Sequence, residues 1–175
     1  MAPPMSTAIA TLDCGMRVRF AVEADIPHVL PLMRGLAEFE NTITSFALTE
    51  AVIREHAFRR SPPDCWILVA EDAGAILGMI VYYVLRFTSA AKPEMVLKDV
   101  FVSPEARGRR VGEHLIRAAA REALSLDVSI VLWQVARWNT GAMRFYERLG
   151  AQPDPVWVNY GLTPDACRAL VGDLD

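Results

Sequence analysis

The chain has 175 residues, 53% of them hydrophobic and 22% charged, enough apolar material for one packed core and unlike the composition of a disordered polypeptide. A net charge of -3, from 18 basic and 21 acidic side chains, lacks the basic excess that a nucleic-acid backbone demands, so no nucleic-acid partner is expected. The longest apolar run, 75–85, is too short for a bilayer helix, and three cysteines without CxxC spacing and three well-separated histidines give no metal site, so the expectation is a cytoplasmic protein with reduced thiols and no membrane contact.

Residues 1–15 carry Pro3 and Pro4 and no Lys or Arg ahead of a weakly apolar centre; they read as a disordered tail before a single domain over 16–175. Residues 17–21 alternate polar and apolar side chains, predicting a strand, and Asp25 is placed to cap a helix with Ile26, Leu30, Met33 and Ala37 inward. Pro31 and Gly35 inside that pattern predict a bent or delayed helix. Thr49 predicts the cap of a second helix running to 59, ended by Ser61, Pro62 and Pro63. Residues 66–71, a turn at 72–74 and the apolar run 75–87 read as a hairpin, and a loop over 88–93 leads to a third strand, 95–102, stopped by Ser103 and Pro104.

Val111, Leu115, Ala118, Ala119 and Glu122 then recur at helical spacing, and the β-branched run 130–135 predicts another strand. Asn139 precedes Ala142, Phe145, Tyr146 and Leu149 at i, i+3, i+4 and i+7, a helix closed by Gly150 with Ala142, Phe145 and Leu149 buried. Residues 156–160 predict a last strand, and Thr163 and Pro164 open a closing helix. Three antiparallel strands followed by strand, helix, strand define an α/β or α+β class, with a mixed, mostly antiparallel sheet whose crossover strands run parallel.

The segment with chemical content is 100–112. A strand that delivers a glycine-containing turn into a helix presents free backbone N–H groups and the positive end of the helix dipole at one point, which suits a phosphate. Arg107, Arg109 and Arg110 add donors for a polyanion. Neither GxxxxGK nor GxGxxG is present, which excludes a P-loop and a dinucleotide fold.

Arg107, Gly108, Arg109, Arg110, Val111 and Gly112 resemble the Arg/Gln-x-x-Gly-x-Gly/Ala loop of the GNAT family of N-acetyltransferases, and residues 139–151 resemble its second motif. Residues 36–40 and the pair Trp138, Asn139 are most similar to the spermidine/spermine and thialysine branch, so the resemblance spans nearly the whole chain. It implies a GNAT fold in which two parallel strands splay apart around acetyl-CoA. The strand matching Asp99 to Val102, with Val100, Phe101 and Val102, would pair with the pantetheine arm, residues 107–112 would hold the diphosphate, and Asn139 and Tyr146 would flank the thioester. Tyr146 is then the candidate general acid for the departing thiolate, and a backbone N–H near Val100 the donor to the oxyanion.

An attacking lysine-like amine, with a pKa of about 10.4, must first lose a proton. Asp99 is the candidate base, acting through a water, with Glu38 and Glu40 as further candidates around the acceptor. The branch usually carries acidic residues where this chain has Lys98 and Arg137, which counts against spermidine and is compatible with an amine bearing a carboxylate. Arg110 stands where the loop usually has glycine, and is expected to keep an ordinary negative φ. The implied activity is acetyl transfer from acetyl-CoA to a small-molecule primary amine by direct attack, without a metal, in a homodimer; the alternatives are acetylation of a protein or peptide amine and a non-catalytic acetyl-CoA-binding domain.

Overall fold

The computed structural model describes residues 8–11 and 15–172. The chain divides into two units, one reaching Trp138 and one starting at Asn139. The first holds a six-stranded sheet whose strands lie side by side in chain order: β1 (Ala8–Thr11), β2 (Arg17–Phe20), β3 (Trp66–Asp72), β4 (Ala75–Leu85), β5 (Glu94–Val102) and β6 (Val131–Trp133). Neighbours are antiparallel except β5 and β6, which run parallel. The mixed sheet with flanking helices is the expected α/β class. Residues 8–11 of the segment read as a tail form β1; the rest of 1–14 lies outside the described residues.

Two cores flank the sheet because its central strand is buried on both faces. On one side α3 (Val111–Ser125) lays Val111, Leu115, Ala118, Ala119 and Ala123 against Val18, Leu68, Ala70, Ile80 and Tyr82. On the other, α1 (Ile26–Phe39) and α2 (Glu50–Arg54, extended by a π-helical turn to Arg59) cover Ile67, Val69, Met79, Val81 and Phe101. The turn between β3 and β4 uses Ala73 at φ 49° and Gly74 at φ 84°, the left-handed pair that matches hairpin twist. Gly78 on β4 is required by space, since a Cβ there would lie 2.7 Å from the Phe101 carbonyl oxygen.

The helix α1 is not delayed: it starts at Ile26, directly after Asp25, and continues through Pro31 to Phe39. Proline removes one backbone bond, but Ile26, Val29, Leu32, Met33 and Leu36 are buried along with Ala37, and the five larger side chains at roughly 1.5–3 kcal/mol each outweigh it. Leu30, expected inward, is only half-buried. Asp25 does not cap the helix with its side chain; its carboxylate accepts from Val22 N–H (2.8 Å) and from Arg19 (2.6 and 3.0 Å), while Arg19 also reaches Glu71 at 2.7 Å. Gly35 leaves room for the Phe101 ring, whose carbons lie 3.1 and 3.2 Å from where a Cβ would stand.

The second unit contains α4 (Thr140–Arg148) and α5 (Pro164–Gly172). Asn139 Oδ1 accepts from Ala142 N–H at 3.1 Å, the expected cap. At the other end Gly150 is at φ 92°, its N–H bonds the Glu147 carbonyl (2.9 Å) and Ala151 N–H bonds the Tyr146 carbonyl (3.1 Å), a Schellman closure. The face expected to be buried is not: Ala142, Phe145 and Leu149 are half-buried. The strand expected over 156–160 is also absent. Asp154 accepts from the backbone N–H groups of Val156 (2.8 Å) and Trp157 (3.0 Å), and this local turn competes with extended pairing.

Candidate active site

The site is built by one irregularity in β5. Val81 pairs with Asp99 but Tyr82 pairs with Leu97, so Lys98 is an extra residue, a β-bulge. Before it, Met95 and Leu97 face the α3 core; after it, Val100 and Val102 face that core and Phe101 faces α1. Side chains alternate along a strand, so the bulge moves Asp99 from the α3 face to the α1 face beside Phe101. The pairing of β5 with β6 ends at the same place: Met95, Val96 and Leu97 pair with Val131, Leu132 and Trp133, and nothing beyond does. From Lys98 to Val102 the backbone is bonded to β4 on one edge and has no β6 partner on the other. Of the expected strand over 130–135 only 131–133 forms, and that shortness ends the pairing at Leu97.

The strand then turns into α3 through 103–110. Gly108 is at φ 79°, and Arg110, the helix N-cap, is at φ 60°, ψ 14°, so the expectation of a negative φ at Arg110 is wrong. The entry to the helix demands the left-handed conformation whichever residue stands there, at about 1 kcal/mol for a non-glycine. The first bond across this entry runs from His114 N–H to the Arg110 carbonyl at 3.1 Å, so Val111, Gly112 and Glu113 offer N–H groups without intrahelical partners. The three arginine side chains do not converge on one point. Arg109 ion-pairs with Asp72. Arg110 pairs with Glu113 at 2.9 Å, and Arg117 does so at the same distance. The bonds from Arg110 and Arg117 lower the Glu113 carboxyl to about 2. The Arg107 guanidinium lies 5.5 Å from the Phe39 ring centre and 5.9 Å from that of Phe101. What the turn presents is backbone.

On the α1 face, burial pushes the Asp99 carboxyl above the ordinary carboxylate range; the Lys98 charge opposes the rise and Glu40 adds to it. Cys65 and Tyr83 lie within electrostatic reach of Asp99. The Cys65 thiol is pushed up to about 11 by burial, with Asp64 and Asp99 contributing, and the Tyr83 phenol is raised by burial, then by Cys65, Asp99 and Asp64. Beside Phe101 a cleft of about 450 Å³ is lined by Gly35, Glu38, Phe39, Ser103 and Arg107 among others. Lys98 and Arg137 are exposed. The structure thus groups Asp99 with Glu40, and Glu38 with Phe101 and Arg107.

Sequence reasoning missed Tyr83, Cys65 and Phe39. The alternation Met79, Val81, Tyr83 gives the face of Tyr83, but its relation to Asp99 depends on the bulge. The one signal of that bulge is the adjacent polar pair Lys98, Asp99 inside an apolar strand. In the second unit, Asn139 spends its side-chain oxygen on the helix cap, and Tyr146 is half-buried on α4 with its ring 5.1 Å from that of Phe145.

The two parallel strands thus stop pairing at Leu97, and the turn that follows leaves backbone N–H groups at the head of α3. Residues 32–151 match the acetyltransferase (GNAT) family, and the chain belongs to it. It is similar to the thialysine N-epsilon-acetyltransferase of Bos taurus, 32% identical over 167 residues that cover 89% of this chain and 96% of the relative. The L-ornithine N5-acetyltransferase of Arabidopsis thaliana is 25% identical, covering 97% and 95% of the two chains. An integron cassette protein from V. cholerae shares the fold, with a TM-score of 0.74 at 19% identity over 89% of this chain and 97% of that one. The chain is an acetyltransferase of the thialysine and polyamine branch. Among the described residues, no helix is long and apolar enough to cross a membrane.

Proposed function

We propose that this protein moves an acetyl group from acetyl-CoA to the terminal amine of a small amino-acid-like diamine. The observation that carries the reading is a coincidence at Lys98: the pairing with the short β6 ends at Leu97, which leaves the edge of residues 98–102 without a β6 partner, and the bulge against β4 turns Asp99 to the α1 face at the same point. The backbone of Val100, Phe101 and Val102 would hold the pantetheine arm. The amides of residues 107–112, at the head of α3, would hold the diphosphate. Bound there, acetyl-CoA supplies an activated acetyl thioester.

The remaining work belongs to the chain. Asp99 accepts the proton of the incoming ammonium, directly or through one water, and its raised pKa makes it a stronger base than an ordinary carboxylate. Glu38 and Glu40 favour the cationic amine at the end of α1. The N–H near Val100 is the donor for the oxyanion, and Tyr146 the proton source for the departing thiolate. The family match runs from 32 to 151, across the boundary between the two units, which supports reading 16–175 as one catalytic domain. The diamino acids in the names of two relatives, thialysine and ornithine, support the acceptor class.

The test is release of free CoA thiol over a panel of thialysine, lysine, ornithine, spermidine and short peptides. Turnover with the diamino acids above the other amines is expected, and Tyr146→Phe should lower kcat by about 10²-fold while acetyl-CoA binding by calorimetry is kept. Turnover confined to peptides, or no acetyl-CoA binding, would overturn the proposal.

A further inference from the structure

The residue that heads the diphosphate turn is turned away from it. Arg107 stands over two aromatic rings, Phe39 at the last turn of α1 and Phe101 on β5, and all three line the same cleft with Glu38. Phe101 is itself seated against α1, its ring carbons filling the space a Gly35 side chain would need, and Phe39 packs on Trp138 with ring centres 5.3 Å apart. Gly35, Phe101, Arg107, Phe39 and Trp138 therefore form one continuous chain of contacts, with Arg107 as its only member from the turn over 107–112.

A guanidinium over an aromatic face is attracted by the ring quadrupole, and two such contacts fix the cation in a plane that a single ring leaves free. Phe39 lies between Glu38 and Glu40, so whatever holds the Phe39 ring also holds the stretch of backbone that carries both glutamates at the end of α1. We propose that Arg107 is a positioning residue for the amine acceptor: its side chain clamps the end of α1 while its backbone belongs to the acetyl-CoA turn, so that filling one site favours the other. The inference rests on the acetyl-transfer reading above. It adds a coupling between the two substrates, and linkage makes that coupling reciprocal.

The assignment separates side chain from backbone, and so does its test. The Kd of a non-transferring thioether analogue of acetyl-CoA by calorimetry, with and without a saturating amine, and amine KM and kcat with acetyl-CoA itself are measured for wild type, Arg107→Ala, Arg107→Lys and Phe39→Leu. For Arg107→Ala, the analogue alone should bind within about threefold of wild type, amine KM should rise about five- to tenfold, and the tightening of the analogue by amine should vanish. Phe39→Leu should repeat this pattern, and Arg107→Lys, which keeps a cation over the rings, should recover part of it. A rise of tenfold or more in the analogue's Kd with amine KM unchanged would assign the side chain to the diphosphate and overturn the clamp, as would wild-type behaviour in all three variants. Failure of the wild type itself to bind acetyl-CoA would instead strike the acetyl-transfer reading.

Discussion

The two halves of β5 are made of similar residues and do different work. From Met95 to Leu97 the strand is paired on both edges and buries Met95 and Leu97 in the α3 core. From Lys98 to Val102 it keeps β4 on one edge, has no β6 partner on the other, and turns Asp99 and Phe101 to the α1 face. One inserted residue separates the half paired on both edges from the half paired on one. A sheet can thus bring an unpaired backbone edge and a half-buried carboxylate to one place without an interruption of the core, because Val100 and Val102 resume the α3 contacts that Met95 and Leu97 leave.

The sharpest break of that comparison is Leu97→Ala. Leu97 is 3% exposed, and the cavity it leaves should cost about 3 kcal/mol in denaturant unfolding, with KM values for the folded variant close to wild type. A loss of turnover without a loss of stability would place chemistry on the wrong side of the bulge. Two residues on, Asp99→Asn should do the reverse, lowering kcat by about 10²-fold. Its stability effect follows from the raised pKa. A carboxyl raised in the folded state contributes stability below its unfolded pKa of about 3.9, and that contribution is lost as pH rises through the folded value. A neutral asparagine does not suffer this loss, so the variant should melt higher than wild type at neutral pH, the difference closing below about pH 4. A lower melting point at neutral pH would mean that the Asp99 charge is compensated rather than strained.

Much of this was legible in the chain. The inward face of α3 was, because Val111, Leu115, Ala118 and Ala119 repeat with the helical period and no other element competes for them. The turn over 107–112 was legible from its glycines and its place between strand and helix. The bulge was not, since an extra residue shows itself only against the partner strand, where Val81 takes Asp99 and Tyr82 takes Leu97. Local chemistry also misled in both directions. Pro31 and Gly35 suggested a bent or delayed helix, and with the α1 stripe buried the helix starts at Ile26 without delay. Residues 156–160 suggested a strand, but the Asp154 side chain accepts the backbone N–H groups of Val156 and Trp157, and Trp157 is 79% exposed.

The smallest effect tests whether the working half of the region acts through backbone alone, and it falls at Arg110. With φ at 60°, arginine stores about 1 kcal/mol that glycine would not. Arg110→Gly relieves that cost, adds glycine's entropy loss on folding of roughly 0.5–1 kcal/mol, and removes an exposed ion pair of small worth. Glu113 retains Arg117 as a partner, so its carboxyl should rise from about 2 but stay below the usual range. These contributions nearly cancel, and unfolding free energy should move by less than about 1 kcal/mol. Acetyl-CoA affinity should change only a few-fold, because the N–H groups of Val111, Gly112 and Glu113 are untouched by the substitution. Loss of acetyl-CoA binding in calorimetry would show that the Arg110 side chain leaves Glu113 to meet the diphosphate, and that the turn binds by charge rather than by the shape of its backbone.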